Sequence, residues 1–517
     1  MLSSIDNTIL LNTLLSNNIF KSNKDNKDES KLKSISDNIN KMNEEDIILK
    51  IDKNNIKKNE CNQSSDSELQ TESQTESQTE SQTESQTELK NKEFSLLSYE
   101  ITKNISQDVK KKNGIYFTPK PIVNQCLTFL TSYIRENKLK VKTILEPCCG
   151  SGEFLYGINE HLSKQKIQAI IGVENNNYIY QKVCNVDDFS KKNKQKNIIE
   201  LYNQSFLTFE HSSIKQFDLI IGNPPFYVMS KNDVHKKYHK YFQGRPNIFL
   251  LFIVDSLHKL NHLGILCFIL PKSFLNCIYY DQLRNYIYHH YQIISIMECN
   301  QGKYIDTQQE TIILIIQKFD PLQKQIKYNV VNKEYTLNLQ KYKIFNTKEH
   351  VATINELLKD STNLYMLNCN VKVGPVTWNE HKSILTNDKE KTLLIYNGNI
   401  KKNQLQIESF KNEEKKNYID KEGSNDMVLL INRGYGKGDY KFNYCLIDTE
   451  KKYLVENHII IISHKSIHNK EKLRIFFEKI IQSFQEEKTR KFIELYFGNN
   501  AVNTNELLFL LPIYNFK

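Results

Sequence analysis

The first 95 residues of this 517-residue chain contain no glycine, no proline and no arginine. A stretch without turn residues, dominated by Asn, Lys and Ser, cannot build a core of its own. Within it, residues 70–88 repeat Gln-Thr-Glu-Ser with a period of four, a unit too short and too polar for a solenoid. Residues 1–95 are therefore expected to be a disordered, low-complexity tail, with room for a small helix over residues 7–20. Cys-x-x-Cys pairs are missing as well. The ten cysteines are scattered, which excludes zinc-ribbon spacing and a disulfide framework and points to a reducing compartment. The N-terminus has no apolar leader-like segment, and no uninterrupted apolar run reaches the length of a membrane span. A soluble, intracellular protein without a membrane partner is expected. Tryptophan occurs once, against 28 Tyr and 26 Phe. The abundance of Asn, Lys and Ile is what an AT-rich genome produces, so the net charge of +10 is discounted. Its distribution says more. Residues 1–95 hold 12 Lys against 18 acidic residues, a net −6, which leaves +16 for the rest. A basic body behind an acidic tail suits a polyanionic partner.

From about Ser98 the texture changes. Short β-branched runs alternate with helix-length segments, at 143–148, 169–174, 198–202, 218–222, 264–270, 293–297 and 311–317. Runs this continuously apolar mark strands buried on both faces of a largely parallel sheet. The last two, with no helix-length segment between them, fit an antiparallel hairpin at one edge. The expected fold is α/β, a seven-stranded Rossmann-like sheet over residues 96–327. From 328 to 517 the alternation stops, and short strand-like pieces, Lys and aromatics suggest a second domain.

Two segments carry chemistry. The apolar run 217–222 ends in Asn223-Pro224-Pro225-Phe226. Two prolines cannot continue a central strand, so the backbone turns at its C-terminal edge, where open α/β sheets place ligands. The Asn223 side-chain oxygen and the Pro224 carbonyl can accept both protons of an amino group on a planar base. The Phe226 ring can stack on that base. This grip localises the nitrogen lone pair and needs neither a general base of unusual pKa nor a metal. Attack by a cysteine is disfavoured, since the only Pro-Cys pair, Pro147-Cys148, lies in the other segment.

That other segment runs from Ile144 through Glu146 and Gly150-Ser151-Gly152 to Phe154, a strand, a glycine loop and a helix. Gly150 and Gly152 permit positive φ and close backbone approach. An acid at the strand end, Glu146, would neutralise an amino or sulfonium group, unlike loops that cradle phosphates. Glu174, ending the next strand, can take both hydroxyls of a ribose. After the third strand, Ser205-Phe206-Leu207 can meet the edge and face of an adenine.

In their order, with Gly114-Ile115-Tyr116-Phe117-Thr118-Pro119 ahead and the 269–275 stretch behind, these segments resemble the adenine-N6 DNA methyltransferases of restriction–modification systems, of the TaqI-like gamma group. The resemblance spans roughly 110 to the C-terminus. It implies a methyltransferase sheet with a C-terminal target-recognition domain, S-adenosylmethionine as cofactor, and double-stranded DNA as substrate. It places Thr118 near the cofactor's carboxylate, Glu146 near its amino group and Glu174 on its ribose. A cognate restriction endonuclease is an expected partner of what would be a monomer. One departure stands out: Ser205 replaces the usual Asp, which predicts weaker cofactor binding.

For DNA, the 231–245 segment mixes Lys236, Lys237 and Arg245 with aromatics, which suits phosphate contact near an extruded base and equally fits a solvated loop. In the C-terminal half, Trp378 is a candidate for DNA contact or for a core position, and Asn432 and Arg433 open a glycine-rich turn able to reach base edges. The stretch 497–501 has the look of the same family. Two other readings remain beside this one. The same Asn-Pro-Pro-aromatic grip serves RNA and protein glutamine N5 methyltransferases, and a degenerate module would bind DNA without methylating it.

Overall fold

The computed structural model of the protein describes residues 93–186, 198–299, 304–305, 309–319, 331–433, 442–497 and 502–516. The four-residue repeat, the 7–20 stretch and most of the glycine-rich turn after Arg433 lie outside them. Three helices come first: α1 (Leu96–Asn104), α2 (Gln107–Asn113) and α3 (Lys120–Glu136). The described chain starts slightly before the boundary expected at 96. Phe94 is buried against Ile101, Phe117, Ile179 and Val183, and the Ser95 hydroxyl caps α1.

All seven expected strands are present: β1 (Thr143–Glu146), β2 (Ala169–Glu174), β3 (Ile198–Asn203), β4 (Phe217–Gly222), β5 (Leu260–Pro271), β6 (Tyr291–Glu298) and β7 (Thr311–Lys318). Their spatial order is β3-β2-β1-β4-β5-β7-β6. The first five pair in parallel. The last strand runs antiparallel, and it slots between β5 and β6 rather than lying outside them. The order reverses between β1 and β4, which opens a crevice at their carboxyl ends.

The strands read as apolar throughout because both faces are covered. In β4, Leu219 and Ile221 point into one core while Ile220 points into the other. In β5, Ile265, Cys267 and Ile269 share the first face, and Leu266, Phe268 and Leu270 the second. On the first side lie α3 and α4 (Glu153–His161), with Leu127, Leu130, Phe154 and Leu155 fully or almost fully buried. On the second lie α6 (Ile248–His258) and α7 (Asp281–His290), while α5 (Asn177–Cys184) follows β2. Each fully buried Leu, Ile or Phe is worth about 1.5–3 kcal/mol of transfer free energy, so two continuous cores hold the crevice rigidly.

Beyond 330 a hairpin, β8 (Thr336–Leu339) and β9 (Tyr342–Phe345), packs directly on the sheet domain. Further on, an antiparallel sheet is built from Cys369–Val373, Ile459–His464, Val428–Asn432 and Tyr444–Ile447, in that order. Helices Lys348–Leu358, Lys470–Gln485 and Glu487–Tyr496 share a core with it. Tyr335 and Phe345 belong to the core of the sheet domain and Ile278 to the C-terminal core, so the two parts pack on each other. Arg284 on α7 explains part of this continuity. Its side chain is fully buried and donates to the carbonyls of Phe274 (2.9 Å), Cys277 (2.8 Å) and Lys343 (2.6 Å). Asp281, 3.8 Å from the guanidinium, accepts the Lys343 N–H at 2.7 Å. Removing the cation would strand three buried carbonyls. Arg284→Ala should cost about 3–5 kcal/mol, read as a fall in the thermal unfolding midpoint.

Candidate active site

At the end of β4 the chain turns through Asn223-Pro224-Pro225-Phe226. Asn223 Nδ2 donates to the Tyr116 carbonyl (3.3 Å) and to Thr118 Oγ1 (3.1 Å). Both amide hydrogens are thus used, and Oδ1 is buried with no partner. The reverse orientation would set Oδ1 against the Tyr116 carbonyl, acceptor against acceptor. Asn223 therefore offers an unsatisfied acceptor at the crevice. The segment that fixes it arrives through Gly114, the left-handed cap of α2 at φ +64°. A Cβ there would lie 2.6 Å from the Phe226 nitrogen and 3.0 Å from Pro225 Cβ, so only glycine lets the two backbones meet.

After β1, the loop from Pro147 to Gly152 carries two positive-φ residues, Gly150 (+51°) and Gly152 (+82°), before α4 begins. Glu174 holds it: Oε2 accepts the Gly150 N–H at 3.0 Å and Oε1 the Asn176 N–H at 2.7 Å. Burial raises the Glu174 carboxyl, and these N–H groups pull it partly back. Glu146, 2 % exposed, has less relief, from the Leu155 N–H alone, and its Oε2 is without a partner. Burial, reinforced by the Glu174 and Glu153 carboxylates, pushes the Glu146 carboxyl well above the usual range. Burial and the Glu146 and Glu174 carboxylates push the Cys148 and Cys149 thiols up as well, which keeps both un-ionised and poor nucleophiles.

These elements enclose a cleft of about 420 Å³, within the usual range for small-molecule sites. Gly150, Glu174, Ser205, Phe206 and Asn223 line it, as do Tyr227 and Phe252, which the sequence reading did not single out. A small recess of about 30 Å³, lined by Thr118, Glu146, Cys149 and Asn223 among others, shares Gly150 and Asn223 with it. No lysine or arginine is among the residues lining either space, while three carboxylates surround them. The arrangement favours a cationic ligand with a flat, hydroxylated portion. Phe206 is buried, 5.0 Å from the Phe252 ring, and Ser205 begins the turn after β3. Thr118 is buried and belongs to the recess.

Among the tetrapeptide residues, Pro224 is buried and Pro225 lines the cleft. Phe226 stands edge-on to Phe249, with ring centroids 6.1 Å apart, and does not line the cleft itself. The basic segment 229–246 is pinned at both ends beside it: Met229 N–H donates to Pro246 O (2.8 Å) and Ile248 N–H to Tyr227 O (3.0 Å). Lys236 and Arg245 are exposed there, and Lys237 sits 3.3 Å from Asp255 Oδ1. Trp378 is half-buried, with Lys382 and Lys415 over its ring at 5.6 and 5.3 Å. Asn432 is buried inside the C-terminal sheet, its side-chain oxygen accepting the Asn443 N–H at 2.8 Å. Arg433 is half-buried, and its carbonyl accepts the Val502 N–H at 3.0 Å. Phe497 is buried too. The structure brings Gly150, Glu174, Ser205, Phe206, Asn223 and Pro225 to the cleft and Thr118 and Glu146 to the recess beside it, and leaves Gly152, Pro224, Phe226, Trp378, Asn432 and Arg433 off both linings.

A seven-stranded sheet of this order and direction, with a glycine loop after β1 and acids ending β1 and β2, has the class I S-adenosylmethionine-dependent methyltransferase fold. Comparison with known proteins adds the particular type. Residues 122–305 match the family model of the Eco57I restriction-modification methylase. The chain is 28% identical over 414 residues to the type II methyltransferase M.CvrRI of Paramecium bursaria Chlorella virus XZ-6E, covering 78% of this chain and 95% of that one. It is 24% identical over 377 residues to the modification methylase CviBIII of Paramecium bursaria Chlorella virus NC1A, covering 72% and 88%. Among solved structures, a putative class I S-adenosylmethionine-dependent methyltransferase from Listeria monocytogenes aligns with a TM-score of 0.36 and 21% identity, over 44% of this chain and 66% of that one. The family model and the two viral relatives support a methyltransferase of restriction–modification type. Among the described residues, no helix is long and apolar enough to cross a membrane.

A carboxyl raised in the folded state keeps its proton there and lowers stability as pH climbs from its ordinary value through the raised one. Glu146→Gln should therefore melt higher than wild type in the absence of ligand. The gap should widen as pH rises above the ordinary carboxyl range, measured by differential scanning calorimetry.

Proposed function

We propose that the protein is a site-specific DNA methyltransferase of the TaqI-like gamma group, which methylates adenine N6 of a base flipped out of double-stranded DNA. One observation carries this reading: the unpartnered Asn223 Oδ1 at a turn whose amide hydrogens are already committed. The cofactor site fits S-adenosylmethionine on the same kind of ground. Glu146 Oε2, buried and orphaned, suits an ammonium, and Glu174 retains lone pairs toward a ribose. Ser205 and Phe206 suit the edge and face of its adenine. Bound there, S-adenosylmethionine supplies an electrophilic methyl group that leaves with its bonding electrons kept by sulfur.

The chain's own residues do the rest. Asn223 Oδ1 and the Pro224 carbonyl accept the two N–H bonds of the amine and turn its lone pair out of conjugation with the ring. The nitrogen's surplus proton then passes to solvent. Positioning of this kind can supply several kcal/mol of the barrier reduction. Phe226 offers a face to the extruded base, offsetting part of the few kcal/mol that flipping costs. Lys236 and Arg245 lie free on the pinned segment for phosphate contact, and Lys237 can exchange Asp255 for a phosphate. Residues 328–517 are the part we assign to target recognition, with Trp378, Asn432 and Arg433 as its candidate contacts.

Radiolabelled methyl groups should pass from S-adenosylmethionine to duplex DNA, and not to RNA or protein, and nucleoside digests should contain N6-methyladenine. Asn223→Ala should slow transfer by about 100-fold or more. Methylcytosine in the digest would refute the choice of base, and an Asn223→Ala enzyme as fast as wild type would refute the grip. Restoring the family's carboxylate with Ser205→Asp should tighten S-adenosylhomocysteine binding about tenfold by calorimetry.

A further inference from the structure

Asn223 can grip an amine only if its oxygen faces outward, and the side chain has two neighbours that decide this. The Tyr116 carbonyl, 3.3 Å from Nδ2, is an acceptor only. The Thr118 hydroxyl, 3.1 Å from Nδ2, is ambivalent. With its proton turned away it accepts from Nδ2 and supports the productive orientation. With its proton turned toward Asn223 it would instead reward the flipped amide, which aims a donor at the incoming amine. Thr118 is 6 % exposed and sits in the recess with Glu146 and Gly150, two residues ahead of the 17-residue helix α3. The dipole at that helix start favours an anion nearby.

We propose that Thr118 is a positioning residue that couples the two ligand sites. By donating its proton to the cofactor's carboxylate, the hydroxyl becomes an obligate acceptor toward Asn223 and locks Oδ1 outward. The cofactor thereby prepares the base grip before the base arrives, and the base in turn tightens the cofactor by the same factor. This rests on the cofactor and substrate assignments made above.

Thr118→Val keeps the shape and removes the hydroxyl, and Thr118→Ser restores it. Two readouts separate the proposal from a simple binding role. In the first, the side-chain amide of Asn223 is followed by NMR in asparagine-labelled protein as S-adenosylhomocysteine is added without DNA. The hydrogen that meets residue 118 should become protected in wild type and in Thr118→Ser, and stay unprotected in Thr118→Val at saturation. The second readout uses duplex DNA with 2-aminopurine at the position wild type methylates. Saturating S-adenosylhomocysteine should increase base extrusion about five- to tenfold in wild type and Thr118→Ser, and leave it nearly unchanged in Thr118→Val. The kcat of Thr118→Val should fall even at saturating cofactor. If Thr118→Val raises only the KM for cofactor, with amide protection, extrusion and kcat at wild-type levels, the proposal is wrong. The NMR arm needs no nucleic acid. A protein that passes it but methylates no DNA would uphold the coupling and overturn the substrate assignment instead.

Discussion

A Cβ at residue 114 would come within 2.6 Å of the Phe226 nitrogen, and this forced closeness of two backbones is what the rest of the site is hung on. It seats residues 114–118 across the end of β4, so that Tyr116 and Thr118 can take both amide hydrogens of Asn223. The two prolines that follow leave the turn little freedom, since each has a fixed φ and no N–H. Asn223 is therefore over-determined on one side and unsatisfied on the other. An isolated buried acceptor costs about 1–3 kcal/mol, a strain that a donor-bearing ligand relieves.

The neighbouring loop repeats the pattern with charge. Glu174 is spent on ordering the loop, through two backbone N–H groups, whereas Glu146 is held almost out of water with nothing to neutralise it. A carboxyl pushed up in this way holds its proton to higher pH, and a cation beside it would draw it back down. Stability and cation affinity consequently move in opposite directions with pH. A second network steadies the loop from outside. The buried Ser98 hydroxyl of α1 lies 2.8 Å from both Ser151 Oγ and Glu153 Oε1, and Ser95 N–H donates to the same Glu153 oxygen at 3.1 Å.

The C-terminal half packs directly against the sheet domain. Arg284, Asp281 and the β8–β9 hairpin interlock, and Asn276 of the sheet domain donates its side-chain amide to the Tyr496 carbonyl. A change in sequence texture marks a change in local secondary structure, and packing can still cross it, as Tyr335 and Phe345 do in the core of the sheet. The same limit applies to Asn432. Its place beside a glycine-rich turn says nothing of burial: the sheet covers it, and its side-chain oxygen accepts the Asn443 N–H.

Chain-local signals determined the seven strands, the glycine loop, the Pro-Pro turn and the acids at the strand ends. Each depends on periodicity, missing N–H groups or permissive φ, all of which are written in a few adjacent residues. The position of β7 between β5 and β6 was decided by tertiary structure, because strand order is a matter of pairing across some 50 residues. So were the orientation of Asn223, the upward shift of the Glu146 carboxyl and the entry of Tyr227 and Phe252 into the cleft. Those depend on which groups meet after folding and on how much water they lose, quantities that no single segment of chain contains.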